Sequence, residues 1–270
     1  MPTLVLPPRY SPDSIALWRA ATALDWTVER LGSWRVPDRL KGQDVVLYGE
    51  PLFASVVADQ LGVALLEPPI DWLPALPEKY RRRAVRLATL SEARRIESPA
   101  FIKPADDKCF AACVFQAGTE IPAADLLPEA TPVLVAEPVM WTLEVRCFVL
   151  DRTVQTWSPY LRHGALAEAP DGTWPCTDPE SQEAMAFAGE ILADRTVNIP
   201  PALALDIGTI QGRGWAVVEA NAAWGSGIYG CDPAAVLRLV RRSCIPRAQL
   251  ESRDKAWLVD RLEGTGPNAR

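Results

Sequence analysis

The stretch from 203 to 230 constrains the fold most, because it has the pattern of a β-hairpin whose register can be counted. Two runs of strand-forming residues flank Gln211-Gly212-Arg213-Gly214. A glycine at the first central position of the turn, here Gly212, suits a tight primed turn. With a loop of two or of four residues, Asp206 stands opposite Glu219. The same count gives four further facing pairs: Ile210 with Trp215, Thr209 with Ala216, Ile207 with Val218, and Leu205 with Ala220. One face of the hairpin is thus predicted to carry two carboxylates, and the other to be mostly apolar.

The facing carboxylates need a physical reason, because like charges directly opposite one another destabilise a sheet. Asn221 lies two residues beyond Glu219, hence on the same face, where it adds a neutral oxygen. Such oxygens suit a hard cation, here Mg²⁺ that keeps several waters and binds a nucleotide phosphate. Asp206, Glu219 and Asn221 are therefore candidate metal ligands. The alternative is a solvated hairpin face with a shifted register.

The charge and hydropathy of the chain exclude several classes of partner. A net charge of −6 argues against general binding to nucleic acid or to an anionic membrane. No apolar run approaches the ~20 residues that span a bilayer. The amino terminus also lacks the basic and apolar segments of a signal peptide. We therefore expect a cytoplasmic protein without a membrane or nucleic-acid partner, and the sequence indicates no particular oligomeric state.

Histidine and cysteine chemistry is restricted as well. His163 is the only histidine, and no G-x-S-x-G motif accompanies it, which argues against a Ser-His-Asp hydrolase. The six cysteines have no paired C-x-x-C spacing, so they indicate neither a zinc site nor a disulfide framework.

Strand and helix patterns alternate at the start of the chain, which predicts a small parallel α/β domain over residues 1–75. Its predicted elements are a strand over Thr3–Leu6, a helix from Ser11-Pro12 with its stop at Gly32, a strand over Asp44–Tyr48, a helix over Pro51–Leu61 that stops at Gly62, and a strand over Val63–Leu66. A proline-rich connection follows, and the tail over 264–270 is expected to be disordered.

Helices and strands are also predicted in the rest of the chain. The helices cover 78–95, 178–194, a stretch that opens at Asp232-Pro233, and 246–262. The strands include Phe101 and Lys103, then 109–115, 132–137, 141–150 and 154–160.

Four charged side chains near these strands could serve a nucleotide. Lys103 and Lys108 flank a short turn, where ammonium groups can reach phosphate oxygens. Glu144 and Arg146 share one strand face and could serve a ribose and a phosphate. The alternatives are a pair of surface lysines and a structural ion pair.

The order of these pieces resembles the ATP-grasp superfamily, in particular a small clade marked by one arginine and two lysines. The segments FIKPADDK, VAEPVMWTLEVRCFV, SPYLR and GRGWAVVEANAAWGSGIYG carry the resemblance, which covers roughly residues 78–240. It implies an α/β plus α+β chain, in which an ATP-grasp nucleotide-binding fold of two subdomains over 76–263 follows the small parallel α/β domain.

The resemblance also implies roles for single residues, with ATP and Mg²⁺ as cofactors. Lys103 and Lys108 would be phosphate-side lysines, Glu137, Pro138 and Val139 the adenine hinge, and Glu144 a ribose contact. Arg146 would lie near the phosphates or an acyl phosphate, and Asp206, Glu219 and Asn221 would bind magnesium. Arg213 and Arg162 are candidates for binding a substrate carboxylate, and the alternative is that both face solvent. Arg146, Arg213 and Lys108 are the candidate catalytic groups. The turn between Lys103 and Cys113 contains no glycine, so it departs from the glycine-rich loop with which many members cover the phosphates.

These roles predict an ATP-dependent carboxylate-amine ligase that works through an acyl phosphate. Its substrates would be a small-molecule or peptide carboxylate and an amine acceptor. A phosphotransferase on the same scaffold and a non-catalytic nucleotide-binding protein are the alternatives.

Overall fold

The computed structural model describes residues 1–106, 109–122 and 127–258. Lys108 and the tail that is expected to be disordered lie outside the described residues. Within them the chain forms four sheets, with three, four, five and two strands.

The amino-terminal unit is a parallel sheet with two helices, as its alternating pattern predicts. Its elements are β1 (Thr3–Leu6), α1 (Pro12–Ala23), β2 (Thr27–Arg30), β3 (Val45–Leu47) and α2 (Pro51–Leu61), with the strand order β2-β1-β3. The start of α1 at Ser11-Pro12 and the end of α2 at Gly62 are confirmed. The next strand, β4 (Val63–Leu65), does not join this sheet.

Helix α1 ends well before the predicted stop at Gly32. Asp25 takes a φ of 58°, and the N–H groups of Asp25 and Trp26 donate back to the carbonyls of Thr22 and Ala21. This is the helix-ending arrangement in which glycine usually stands. It leaves the following residues free to form β2, so the prediction of a helix that runs to Gly32 is wrong.

A small antiparallel sheet follows, after the short helices α3 (Trp72–Ala75) and α4 (Glu78–Arg81). It contains β5 (Val85–Thr89), β6 (Ala100–Pro104), β7 (Cys113–Phe115) and β8 (Pro132–Ala136), in the order β5-β8-β6-β7, with the short helix α5 (Leu90–Ala93) after β5. The predicted helix over 78–95 is wrong, because pairing with β8 draws 85–89 into the sheet and overrides local helix propensity. The strand predicted over 109–115 is limited to β7.

The central sheet is antiparallel and holds the hairpin at one edge. Its strands are β9 (Trp141–Leu150), β10 (Thr153–Arg162), β11 (Ala165–Leu166), β12 (Ala202–Ile210) and β13 (Gly214–Asn221), in the order β11-β10-β9-β12-β13. Helix α6 (Asp178–Ala193) packs on one face through Ala184, Phe187, Ile191 and Leu192, the residues that the sequence places inward. The other face is therefore left for the amino-terminal unit and for polar side chains.

The hairpin pairs Asp206 with Glu219 and Leu205 with Ala220, as counted from the sequence. Nearer the turn the count is wrong by one residue: Ile207 faces Val217, Thr209 faces Trp215, and Ile210 faces Gly214. The turn places Gly212 at φ 76° and is closed by the Arg213 N–H donating to the Ile210 carbonyl at 3.0 Å. A β-bulge at Val218 restores the register before Glu219 is reached.

The end of the described chain returns to the amino-terminal unit. Helix α7 (Pro233–Ser243) begins at Asp232-Pro233 as predicted, and β14 (Cys244–Pro246) pairs antiparallel with β4. The helix predicted over 246–262 is wrong within the described part, because Pro246 belongs to β14 and only two short 3₁₀ turns follow it up to Leu258.

One apolar core joins the amino-terminal sheet, α7 and the central sheet. It includes Leu6 and Leu47 from the first sheet, Val236 from α7, and Phe148 from β9, all fully buried. Phe148 lies in the central sheet one row below the polar side chains, because its neighbour across β12 is Ala204.

We expect Phe148→Ala to lower the free energy of unfolding by about 3–5 kcal/mol, the cost of an aromatic cavity in a packed core. A urea titration, monitored by tryptophan fluorescence, measures this change in the free energy of unfolding. Leu52→Ala is the matched control, because its side chain is 58% exposed and its removal should cost less than about 0.5 kcal/mol. Equal effects of the two substitutions would contradict the shared core.

Candidate active site

A row of polar side chains crosses four strands of the central sheet. Ser158 pairs with Arg146, Arg146 with Asp206, and Asp206 with Glu219, each directly opposite the next. Residues that face each other across antiparallel strands share a sheet face, so the row forms one continuous polar strip. Strand pairing thus brings together three of the residues predicted for the site.

The Arg146–Asp206 pair is the buried centre of this strip. Arg146 donates from Nε to Asp206 Oδ1 at 2.8 Å and from Nη2 to Oδ2 at 2.6 Å, and from Nη1 to the Gly227 carbonyl at 2.9 Å. Asp206 is completely buried. Burial raises the pKa of the Asp206 carboxyl, and the charge and hydrogen bonds of Arg146 oppose that rise. A two-point contact of this kind fixes both side chains in place.

Lys103 connects the small sheet to the central sheet. It lies on β6, beside Leu134 of β8, and its ammonium donates to Glu219 of β13. Both side chains are mostly buried, with exposed fractions of 23% for Lys103 and 27% for Glu219. Burial raises the pKa of Glu219, but the charge and hydrogen bond of Lys103 outweigh it and lower that pKa to about 2. A lysine and a carboxylate predicted from separate motifs therefore meet between the two sheets.

Asn221 completes the predicted metal set. Its Nδ2 donates to Asp206 Oδ2 at 3.2 Å and to Glu219 Oε1 at 2.8 Å, so one amide group bridges both carboxylates. A turn of the amide would present Oδ1 at the same place, and the three groups would then offer the oxygen donors that suit Mg²⁺. Among the described residues no cluster of three histidine, cysteine or acidic side chains occurs, so an amide oxygen is needed to complete a protein site. These oxygen donors fit Mg²⁺, and Asp206, Glu219 and Asn221 are the residues that would hold it.

Arg83 holds the bulge that sets this register. Its Nη1 donates to the Val217 carbonyl at 2.6 Å and its Nη2 to the Val218 carbonyl at 2.9 Å, while its guanidinium lies 4.9 Å from the centre of the Trp141 ring. With a regular ladder in place of the bulge, Asp206 would face Val218, and Glu219 would turn to the apolar face. Burial lowers the pKa of Arg83 to about 10, which leaves it charged at neutral pH. Arg83 therefore keeps Glu219 in the polar strip.

Glu144 also faces the strip, one step along β9 from Arg146. Tyr160 of β10 donates its hydroxyl to Glu144 Oε2 at 2.7 Å. Burial raises the pKa of Glu144, and this hydrogen bond opposes the rise. The predicted ribose residue is thus held near the predicted phosphate residues.

The segment predicted to be the adenine hinge connects the two sheets, and Arg213 is hydrogen-bonded to it. Glu137, Pro138 and Val139 are partly buried between β8 and β9. Arg213 donates from Nη1 to Glu137 Oε2 at 3.0 Å and to the Arg82 carbonyl at 2.9 Å. The structure thus places Arg213 at the hinge rather than at the polar strip.

A cleft of about 580 Å³ lies beside this hinge, and five arginines line it. They are Arg81, Arg82, Arg83, Arg86 and Arg213. Arg81 donates to the backbone carbonyl of Leu76, and Arg83 donates to that of Val217. Arg82 and Arg213 each donate to the backbone carbonyl of the other. Arg82, Arg83 and Arg213 thereby connect the hairpin of β12 and β13 to the segment that precedes the small sheet.

Arg162 lies apart from the strip as well. It contacts Glu180 near the start of α6 through Nη1 to Oε1 at 2.6 Å and Nη2 to Oε2 at 2.8 Å. The hydrogen bond from Arg162 lowers the pKa of Glu180 to about 2. Arg162 is therefore paired at the entrance to α6, and the structure does not bring it together with Arg146.

Three residues near the strip have no role in the sequence analysis. Arg83 was hidden in an arginine run that resembles a solvated helix face. Tyr160 and Tyr229 stack with ring centres 4.9 Å apart, and the Arg146 guanidinium lies 5.4 Å and 5.0 Å from their rings. The motifs SPYLR and GSGIYG contain both tyrosines, so the signal was present without an assigned function.

Comparison with known proteins shows the family to which the chain belongs. Residues 80–239 match a family model described as an ATP-grasp domain, family 2 of the clade named for its one arginine and two lysines. The match covers more than half of the chain, which therefore belongs to the ATP-grasp superfamily and, within it, to the second family of that clade. A search of curated proteins by sequence gave no match.

Solved structures share the fold at low sequence identity. A RimK domain protein ATP-grasp from Sphaerobacter thermophilus DSM 20745 is 15% identical with a TM-score of 0.56, over 89% of this chain and 99% of that one. The D-cycloserine synthetase DcsG is 15% identical with a TM-score of 0.55, over 89% and 98%. D-alanine--D-alanine ligase from Bacillus anthracis is 10% identical with a TM-score of 0.51, over 90% and 96%. These likenesses confirm the ATP-grasp fold.

Within the part of the chain that the structure describes, no helix has the length and apolar character to cross a membrane.

Proposed function

We propose that the protein is an ATP- and Mg²⁺-dependent carboxylate-amine ligase. The observation that carries the proposal is the meeting of Lys103 with Glu219 between two sheets, next to the buried Arg146–Asp206 pair. Two cationic side chains and two carboxylates thus lie next to one another, together with Asn221. The chain that carries them belongs to an ATP-grasp family. A reaction that consumes ATP suits the cytoplasm, which we propose as its location.

The proposed chemistry has two steps. A substrate carboxylate oxygen attacks the γ-phosphorus of ATP, ADP leaves, and an acyl phosphate forms. An amine nitrogen then attacks the acyl carbon, phosphate leaves with the bonding electrons, and the nitrogen loses a proton. Both steps need charge neutralisation and in-line placement rather than a covalent enzyme group.

The described residues can supply that neutralisation. Asp206, Glu219 and Asn221 would hold Mg²⁺, which when bound neutralises phosphate charge. Lys103 would exchange its contact with Glu219 for a phosphate oxygen, which frees the carboxylate. Arg146 would stay fixed by Asp206 and present its remaining N–H groups to phosphate or acyl phosphate oxygens. Glu137, Pro138, Val139 and Glu144 would contact the adenosine. Lys108, which lies outside the described residues, is proposed as a second phosphate lysine.

The proposal does not depend on Arg213 and Arg162, the two residues predicted to bind the substrate carboxylate. Arg213 and Arg162 each have a carboxylate partner in the folded chain, Glu137 and Glu180. Either arginine would have to leave that partner before it could bind a substrate.

We expect Lys103→Met to weaken binding of a non-hydrolysable ATP analogue about tenfold or more, because it removes a charged hydrogen-bond donor. Calorimetry with Mg²⁺ present measures the dissociation constant. Lys79→Met is the matched control, since Lys79 pairs with Asp194 at the surface. An unchanged affinity of the Lys103 variant would contradict its role.

Turnover separates the ligase from its alternatives. The protein is incubated with ATP, Mg²⁺, hydroxylamine and a pool of amino acids and small carboxylic acids. Hydroxamate together with ADP supports the ligase, because hydroxylamine traps an acyl phosphate. A phosphorylated product would indicate a phosphotransferase, and nucleotide binding without ADP release a non-catalytic binder.

A further inference from the structure

A second cleft, of about 490 Å³, lies beside β10 of the central sheet. Among the described residues, no aspartate, glutamate, lysine, arginine or histidine lines it. Its lining consists of aromatic rings, hydroxyls, thiols and backbone from Trp157–Pro159, Gly172, Thr173, Trp174, Cys176 and Tyr229–Cys231. We call it the neutral cleft. It contrasts with the arginine-lined cleft near the hinge.

The neutral cleft adjoins the polar strip. Ser158 lines it and is also the residue directly opposite Arg146 in the strand pairing. Tyr229 lines it too, and the Arg146 guanidinium lies 5.0 Å from the centre of its ring. A molecule with its carboxylate beside Arg146 could therefore extend directly into this cleft.

The sequence specifies the side of the neutral cleft that borders the polar strip. Tyr229 takes a φ of 49°, which residues with a side chain rarely adopt, and stacking on Tyr160 and an edge contact with Trp174 hold it there. Gly230 follows. A Cβ at this position would lie 2.5 Å from the Trp174 ring and 2.6 Å from Ser158 Oγ. Only glycine lets Trp174 close against the strand.

We propose that the neutral cleft binds the uncharged, planar side chain of the carboxylate substrate, which places the acid to be activated beside Arg146. This inference rests on the proposed ligase function. It narrows the substrate class of the ligase to carboxylic acids that carry an uncharged aromatic side chain. Aromatic walls favour a ring that stacks or meets them edge-on. A charged side chain would lose water there without gaining a counter-ion.

Direct binding tests the cleft independently of turnover. Calorimetry with 3-phenylpropanoate, in the presence of Mg²⁺ and a non-hydrolysable ATP analogue, is compared with succinate and 6-aminohexanoate. We expect 3-phenylpropanoate to bind at least about tenfold more tightly than either charged probe, and Trp174→Ala and Gly230→Ala to weaken it about tenfold. Affinity for the ATP analogue should not change in these variants. Gly189→Ala is the matched control, because a Cβ there meets nothing within 4 Å.

Equal binding of the three probes, or a 3-phenylpropanoate affinity that both variants retain, overturns the proposal. Trp174→Phe keeps an aromatic wall and gives a second reading should the alanine variant unfold. ADP release with each probe is measured in parallel. Selective binding without ADP release supports the cleft and counts against the ligase, whereas ADP release with no effect of the variants supports the ligase and counts against the cleft.

Discussion

Glu219→Gln is expected to lower the rate of ATP turnover about 1000-fold, the largest loss that we foresee for a single side chain. Glu219 faces Asp206, accepts from Lys103 and is bridged to Asp206 by Asn221. Glutamine keeps the size of the side chain but removes the charge that would hold Mg²⁺ and that now pairs with Lys103. ADP release at a series of Mg²⁺ concentrations measures the effect.

Glu168→Gln is the control for this experiment, since Glu168 is an exposed carboxylate outside the strip. The fold of both variants is checked by circular dichroism. Because Lys103 lowers the pKa of Glu219 to about 2 against the opposing effect of burial, the native carboxylate is ionised throughout the neutral range. Full turnover by the Glu219 variant at limiting Mg²⁺ would remove Glu219 from the metal site.

Arg83→Met is expected to lower the free energy of unfolding by about 2–4 kcal/mol and the turnover rate about 100-fold. The substitution leaves the carbonyls of Val217 and Val218 without their donor at the bulge. The bulge is then free to shift, and Glu219 loses its fixed position opposite Asp206. Urea unfolding and ADP release measure the two effects separately.

Arg86→Met is the matched control, because Arg86 is an exposed arginine on the neighbouring strand β5 and should cost less than about 0.5 kcal/mol. Arg83→Lys keeps a charge but cannot reach two carbonyls with a planar fork, so partial recovery of turnover is expected. A raised requirement for Mg²⁺ in Arg83→Met marks a positioning role. Loss of stability alone, with a native turnover rate for the folded fraction, would argue against that role.

The site was predictable wherever strand alternation decided the outcome. Period-two alternation in β9 puts Glu144 and Arg146 on one face, and the turn count puts Asp206 opposite Glu219. The count succeeded through two compensating differences: the loop is one residue shorter than the longer loop considered, and Val218 adds one residue back. The cap residues Ser11-Pro12 likewise predicted where α1 begins, and Gly62 predicted where α2 ends.

Contacts between distant segments were not predictable. Arg83 belongs to a run whose composition favours a helix, and only the pairing of 85–89 with β8 shows why those residues extend instead. The contact of Arg83 with the Val218 carbonyl of β13 is likewise visible only in the structure. The left-handed Asp25 that ends α1 has no strong sequence signal, because aspartate is far less common than glycine there. The partners of Arg162 and Arg213 were also unreadable, since a charged side chain reveals its counter-ion only in three dimensions.

The pairing of β14 with β4 affects how the chain matures on the ribosome. Residues 63–65 are synthesised long before 244–246, yet they are hydrogen-bonded neighbours, and α7 fills the core beneath them. The first part of the chain must therefore keep apolar surface open until residues 244–246 have been synthesised, and we expect this exposed surface to favour aggregation of the nascent chain.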